Sequence, residues 1–472
     1  MNNKILKEIL FLWCESISLI KREGLFSFIG ESLKFFKFTW FMLSLKSIIT
    51  RSTFPSSDPM SVISTSTISP DIISLKKKFD TDFDLRYYLK NGIFNPTHES
   101  KETNKILSIL YIDDHTPQPD KDAGSVVTFN FICILSSMGY KITFWSNDQK
   151  RVEPYTTELQ QRGVEVIYEH QSFKKFIQKR NNVYSICITT RPYFSKKYID
   201  NIRHYSQQCK IIYIVADLHF VRIAREAFLE KSKIRMMMSL EIKKLEFWNM
   251  NNSDLTIFHS ENECKFALTE NKSLNAAVIP IPYFLDFAPK SFSERTDLLF
   301  LGNYKHSPNL DAIQYFVTDI FPLITKELPD LKLYVVGSNV PDFLADLCSK
   351  TKNCILIGFV KDLTPYLGSC KIMVSPLRYG SGIKGKIILS MLSSLPVITT
   401  NIGAEGISAN TNSELLIVDK LQDFANKTID LYKNELEWNK LSSNAKKFAE
   451  INYSPELVRA SFEKVFESIL NH

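Results

Sequence analysis

The sequence predicts an α/β protein: two doubly wound parallel sheets facing each other across a cleft, preceded by a helical extension. Three observations carry that expectation. Short apolar runs alternate with helix-length stretches twice over, from residue 104 to 285 and again from 286 to 472. Each set opens on a near-continuous apolar run, "KILSILYID" (105–113) and "TDLLFLG" (296–302), the mark of a strand buried on both faces of a parallel sheet. The chain has 472 residues, 44% hydrophobic and 23% charged, enough for two or three domains of ordinary globular composition.

Residues 1–50 read as two helical segments joined near Gly24. The opening "MNNKILKEILFLWCESISLIK" is too charged for a signal peptide and has no small-residue cleavage site. In the apolar stretch 25–49, Glu31, Lys34, Lys37 and Lys46 leave Phe38 to Leu45 as the longest uncharged run. That falls far short of the ~20 residues a membrane span needs. Aromatic residues interleaved with Lys suit a helix lying in a membrane interface, a peripheral contact through 25–49, or equally a helix packed on the rest of the protein. Residues 51–103 form a linker, opening with the Ser-, Thr- and Pro-rich "RSTFPSSDPMSVISTSTISP".

In the first α/β half, strand 105–113 leads through a polar loop to helix 125–139, with Ser125 as cap and Gly139 as stop, and then to strand "KITFWSND". Strands follow at "GVEVIYE", "VYSICITT", "KIIYIVAD" and "DLTIFHS", with the longest helical stretch at about 220–250. In the second half, "TDLLFLG" leads to a helix over "NLDAIQYFVTDIFPLITKEL", strand "KLYVVG", helix "PDFLADLCSK", strand "CILIG", helix "LTPYLGS" and strand "KIMVSP". Strands "PVITT" and "LLIVD" and two C-terminal helices complete it. Ligands of such sheets sit at the carboxyl ends of the strands.

Composition narrows the function. Net charge is +7, from 58 basic and 51 acidic residues, spread along the chain. This argues against nucleic acid and suits an anionic small ligand or an anionic membrane surface. The eight Cys show neither C-x-x-C nor Cys/His ligand spacing, which excludes a zinc site or disulfide scaffold and fits a reducing cytoplasm.

The most informative stretch is "PLRYGSGIKGKIILSML" (376–392). Gly380, Ser381 and Gly382 precede a helix expected to start near Ile383. Glycines let backbone N–H groups approach a ligand, and a helix N-terminus favours phosphate. Lys384, Lys386 and Arg378 add charge, so the segment reads as a diphosphate site; the structural alternative is a turn with solvated Lys. The Walker A spacing is not met, and the loop at 114–124 has only Gly124, which excludes a dinucleotide fingerprint there. In the first half, Asp217 and His219 follow a strand and suit sugar contact or proton transfer, or a strand-end His bonded to backbone. Asp122, Gly124 and Ser125 sit where the first loop meets its helix, as an acceptor-side site or simply an N-cap. Ser260 and Glu263, in "SENE", read as a cap with a capping-box acid.

"TDLLFLGNYKHSPNLDAIQYF", "LKLYVVGS", "CILIGFVKDLTPYL" and "VSPLRYGSGIKGKIILSMLSSLPVITTNIGAEGI" resemble the C-terminal half of glycosyltransferase family 4 (group 1), which has the GT-B fold. "ILYIDDHTPQPDKDAGS", "VADLHFVRIAREAFL" and "FHSENE" resemble N-terminal halves of its bacterial surface-polysaccharide branch. The resemblance implies retaining, metal-independent transfer of a sugar from a nucleotide-diphosphate donor, with no cofactor, to a glycan or lipid-linked acceptor. The setting would be the cytoplasm, or the inner face of the membrane. Lys384 and Arg378 would hold phosphate, with Gly302, Asn303, Gly380, Ser381, Gly382, Ile383 and Lys386 lining the donor site. Phe359 and Val360 would meet the base, Glu405 would lie near the sugar, and Lys305 would lie near a loop that often supplies another basic group.

One departure stands out. Family members carry a ribose-binding Glu on this helix where this chain has Leu389. Losing one charged hydrogen bond costs about 1.5–3 kcal/mol. Ser390 would substitute only if the helix shifted, and a second family carboxylate falls at Ser381. Two alternatives follow: a weak or inactive GT-B protein acting as partner in a glycan-assembly complex, and a nucleotide-sugar epimerase, which shares this fold.

Overall fold

The computed structural model describes residues 107–284 and 288–470. The expected helical extension (1–50), linker (51–103) and membrane-interface segment (25–49) lie outside the described residues.

The first sheet is built from β1 (Ser108–Asp113), β2 (Lys141–Ser146), β3 (Glu165–Ile167), β4 (Ile186–Thr190), β5 (Lys210–Ile214), β6 (Leu255–Phe258) and β7 (Ala276–Val278). Its order is β3-β2-β1-β4-β5-β6-β7. The second is built from β8 (Thr296–Leu301), β9 (Leu333–Val336), β10 (Cys354–Gly358), β11 (Cys370–Ser375), β12 (Val397–Thr399) and β13 (Leu416–Ile417), in the order β10-β9-β8-β11-β12-β13. All pairings within both are parallel. Strand order reverses beside β1 and beside β8, and such switch points open crevices at the strands' carboxyl ends. The expected pair of doubly wound sheets is therefore present; β7, three residues long and only half-buried, was not expected.

The helices that frame the cleft are α1 (Ala123–Ser137), α2 (Pro192–Tyr205), α3 (His219–Glu230), α4 (Lys233–Asn251) and α5 (Glu261–Glu270) in the first half. In the second half they are α6 (Ser307–Tyr315) and α7 (Gly385–Leu392). Several boundaries differ from expectation for local reasons. The cap of α1 is Asp122, whose carboxylate accepts from Ser125 N–H at 2.8 Å and Ser125 Oγ at 2.7 Å, so Ser125 lies inside the helix. Helix 220–250 breaks at Lys231, which has a left-handed backbone, and restarts at Ser232, the cap of α4. The long helix from residue 309 continues past α6 as a π-helical turn, Phe316–Ile320, ahead of Pro322.

Three helices end the chain rather than two: α8 (Leu421–Lys433), α9 (Glu435–Asn452) and α10 (Pro455–Leu470). The first-half core contains Val458, Phe462, Val465, Phe466 and Ile469 of α10, a segment the sequence assigned to the second half with the rest of 286–472. The chain thus crosses between halves twice, and Tyr283 N–H donates to Tyr453 O at 3.3 Å where the crossings meet. Among the described residues no helix is long and apolar enough to cross a membrane.

Candidate functional site

The segment after β11 reaches the cleft as a glycine-rich loop. Gly382 has φ +66°, and a Cβ on it would stand 2.8 Å from Asp217 Cβ of the opposite half. A residue with a side chain would be both strained and obstructed there. α7 starts at Gly385, two residues later than expected, with Lys384 as its extended N-cap and no side-chain cap. Its first N–H groups therefore remain available to an anion beside Lys384.

Lys384 Nζ donates to Gly382 O at 2.6 Å and lies 3.6 Å from the Glu405 carboxylate. Burial pulls its pKa down, while Glu405 opposes that pull. Glu405 is held by Arg225 of α3 through two bonds of 2.7 Å each, and Arg225 also donates to Gly380 O at 2.7 Å. Burial raises the Glu405 carboxyl, but Arg225 and Lys384 outweigh it and set it below its usual range. Ser381 Oγ donates to Asp217 Oδ2 at 2.6 Å. The donor-side loop is thus clasped to the first half at Gly380, Ser381, Gly382 and Glu405.

Asp217 is the hub on the first-half side. His219 Nε2 stands 2.9 Å from its Oδ1 and Arg222 Nε 3.1 Å from its Oδ2. Burial pushes the Asp217 carboxyl up, yet His219 and Arg222, with bonds from His219 and Ser381, hold it well below the ordinary carboxylate range. His219 Nδ1 is buried without a hydrogen-bond partner. Buried Glu246 of α4 accepts from His219 N–H at 3.0 Å and Phe220 N–H at 3.1 Å, tying down the first turn of α3. Ser260 caps α5, as expected from sequence. Glu263 Oε2 accepts from Ser260 Oγ at 3.0 Å and its Oε1 from Leu218 N–H at 3.1 Å, and burial followed by the Asp217 charge pushes its carboxyl up to about 7.

Other expected donor residues are placed differently. Arg378, grouped with Lys384 by sequence, forms an ion pair with Asp311 through two guanidinium nitrogens and lies over the Tyr315 ring at 4.7 Å, partly exposed. Lys386 turns inward one helical step from Lys384. Its Nζ donates to Leu301 O at 3.0 Å and Asn309 Oδ1 at 2.8 Å, and burial, then the Lys384 charge, brings it down to about 7. Gly302 and Asn303 lie at the carboxyl end of β8; Asn303 Nδ2 reaches Lys121 O across the cleft at 3.4 Å. Lys305 is exposed. Phe359 is exposed at the end of β10, with half-buried Val360 beside it. Ile383 is half-buried in the loop. Leu389 packs against the second-half core, and Ser390 Oγ donates back to Lys386 O at 2.9 Å, leaving it no role outside its own helix. Asp122 and Ser125 bond each other as cap and capped residue, whereas Gly124 lines a cavity.

Sequence reasoning missed Arg222 and Arg225. The available signal was spacing: His219, Arg222 and Arg225 recur every third residue and share one face of α3. Glu246, Arg191 and Tyr283 had no local signal. Among the described residues no group of three or more His, Cys, Asp or Glu could hold a metal ion.

Two Rossmann-like halves joined across a clasped cleft define a two-domain α/β protein of the GT-B class. Residues 295–434 match the family model described as glycosyl transferases group 1. An uncharacterized 44.6 kDa protein in the cps region of Klebsiella pneumoniae is 27% identical over 229 residues, 46% of this chain. The match spans 57% of that relative's length. Among solved structures, S. aureus TarM in complex with Fondaparinux, alpha-GlcNAc-glycerol and UDP is similar, with TM-score 0.51 and 18% identity over 63% of this chain and 58% of TarM. Anabaena HepE in complex with UDP and glucose gives TM-score 0.59 and 12% identity over 76% of this chain and 99% of that one. The pneumococcal O-GlcNAc transferase GtfA in complex with UDP and GlcNAc gives 0.60 and 10% over 78% and 100%.

Proposed function

We propose that the protein is a retaining glycosyltransferase that moves a sugar from a nucleotide-diphosphate donor to a glycan or lipid-linked acceptor in surface polysaccharide synthesis, without a metal. The observation that carries this reading is the uncapped start of α7, with Lys384, facing Asp217 and His219 across the cleft. A departing diphosphate develops charge, and preorganised amides and a buried ammonium stabilise it where water is excluded. HepE and GtfA, solved with UDP, support this class of donor. His219 is the base for the acceptor hydroxyl. Its Nε2 is bonded to Asp217 and its Nδ1 has no hydrogen-bond partner, which leaves that nitrogen to meet the hydroxyl. Placement at the cytoplasmic membrane face, through residues 25–49, belongs to the same proposal.

Calorimetry tests the donor site. UDP, GDP or a related nucleoside diphosphate binds the wild type, and Lys384→Ala abolishes transfer. No binding of any of them at millimolar concentration would sink the donor site, and full activity of the variant would move it elsewhere.

Leu389 favours a second reading, a GT-B protein that has lost turnover and acts as a partner in glycan assembly, because it puts an apolar side chain into the core where a ribose-binding carboxylate is expected. Turnover created by Leu389→Glu in an otherwise silent protein would support it; an active wild type rules it out.

A further inference from the structure

Next to the clasp, a cavity lies between the halves. Its walls include Thr190, Arg191 and His259 from the first half, Tyr283 from the crossing segment, and Ile383 and Gly385 from the second half. The cavity therefore adjoins the start of α7.

Several of its polar groups face the cavity without a protein partner. Thr190, His259 and Tyr283 are 5%, 4% and 9% exposed. Neither the Thr190 nor the Tyr283 hydroxyl makes a hydrogen bond among the described residues, and burial alone pushes the Tyr283 phenol up. Tyr283 is held over the start of α7: a Cβ on Gly385 would fall 2.0 Å from its hydroxyl. His259 Nδ1 bonds Ile279 O at 2.9 Å, and burial pulls the ring's pKa down, so Nε2 is an acceptor without a protein partner. Polar groups without protein partners that converge on one cavity suit a polar occupant.

Arg191 specifies that occupant further. It is a non-glycine residue at φ +71°, immediately before α2, and such strain persists where a side chain must be aimed. Its Nε donates to Asp113 Oδ1 at 3.1 Å, while Nη1 and Nη2 have no hydrogen-bond partner among the described residues. A Cβ on Gly124 would stand 2.8 Å from Nη2, so a side chain at the start of α1 would push the guanidinium aside. Asp113 also accepts from Asp114 N–H at 2.7 Å and Thr128 Oγ at 2.7 Å, and Asp122, whose charge also favours the guanidinium, bonds Ser125 as the cap of α1. The guanidinium thus turns a free two-pronged edge to the cavity, a geometry that matches a carboxylate or a phosphate.

We propose that this cavity seats the sugar that receives the transferred residue, and that it selects an acceptor bearing an oxyanion, carboxylate or phosphate, through Arg191, with Tyr283 and His259 holding ring hydroxyls. The inference rests on the glycosyltransferase reading and names its acceptor class.

The test titrates full-length protein, saturated with a nucleoside diphosphate, with D-glucuronate, glucose 1-phosphate and glucose. At least one anion binds about tenfold or more tighter than glucose, the scale of one charge-assisted hydrogen bond. Stronger glucuronate assigns a carboxylate acceptor, and stronger glucose 1-phosphate a phosphate. Arg191→Gln reduces anion binding to the glucose level, Arg191→Lys restores part of it, and Tyr283→Phe weakens all three sugars a few-fold. Nucleoside diphosphate affinity, unchanged in the Arg191 variants, reports that the protein is folded. Equal binding of glucose and both anions, absence of sugar binding, or anion selectivity that survives in Arg191→Gln would overturn the proposal. Anion selectivity in a wild type that binds no nucleoside diphosphate would instead count against the donor site and leave this cavity standing.

Discussion

The two halves bring different materials to the same cleft. The second presents backbone: a loop with glycines at 380 and 382, the uncapped start of α7, and a single nearby ammonium at Lys384. The first presents charged side chains fixed by one another: Asp217 between His219, Arg222 and Ser381, with Glu246 and Glu263 holding the backbone of residues 218–220 from below. One half is suited to gripping a diphosphate through amides, the other to holding a base in one orientation. Substitutions that separate turnover from donor affinity are therefore the sharpest way to test the division.

The largest effect is expected on the first side. Asp217→Asn removes the charge that orients His219 and Arg222 and weakens the acceptor for Ser381 Oγ. Turnover falls by about 10²-fold or more, the range of general acid–base catalysis, while nucleoside diphosphate affinity changes by less than about threefold. Steady-state kinetics with calorimetry checks both; equal losses in the two would erase the distinction between the halves.

Gly382→Ala is the mirror experiment. It forces a side chain into a left-handed position, at a cost of about 1–3 kcal/mol, and pushes a methyl against Asp217. Donor affinity is expected to drop about tenfold, measured by calorimetry. Affinity equal to wild type would mean that the loop is not held in this form when the donor binds.

This division also explains what the sequence made legible. The repeated strand pattern announced both sheets, because parallel strands buried on both faces are written as contiguous apolar runs. The loop at 380–386 was legible for the same reason, since a backbone site is encoded in adjacent residues. The Asp217 network is not contiguous: Glu263 and Glu246 meet their backbone partners from 45 and 27 positions away. Arg191 and Tyr283 converge only once both halves are folded. Charge alone does not reveal that Asp311 and the Leu301 carbonyl take the side chains of Arg378 and Lys386.

A smaller effect concerns pH. The Glu263 carboxyl is pushed from its ordinary 4.5 up to about 7, so the folded state holds this proton more tightly than the unfolded chain. Its contribution is most favourable below about pH 4.5, is lost as pH rises towards 7, and is constant above that, a change of about 3 kcal/mol at most. The low Asp217 carboxyl acts in the opposite sense, and only at acid pH. Glu263→Gln should therefore gain stability relative to wild type between pH 4.5 and 7, as read by denaturant titration at several pH values. A difference that does not change with pH would mean that Glu263 is ionised in the folded protein.

The smallest effect is expected at Arg378, and it tests the structure against the sequence most directly. Charge and position group this residue with Lys384 as a phosphate holder. The structure gives its guanidinium to Asp311 and the Tyr315 ring on a partly exposed surface, an arrangement worth less than about 1 kcal/mol. Arg378→Ala should then leave nucleoside diphosphate affinity within about threefold of wild type, against the abolition of transfer expected for Lys384→Ala. A loss at Arg378 as large as that at Lys384 would mean that donor binding draws the guanidinium off Asp311 and into the cleft. The second half would then contribute a mobile cation as well as backbone, and the contrast between the halves would hold only for the unliganded protein.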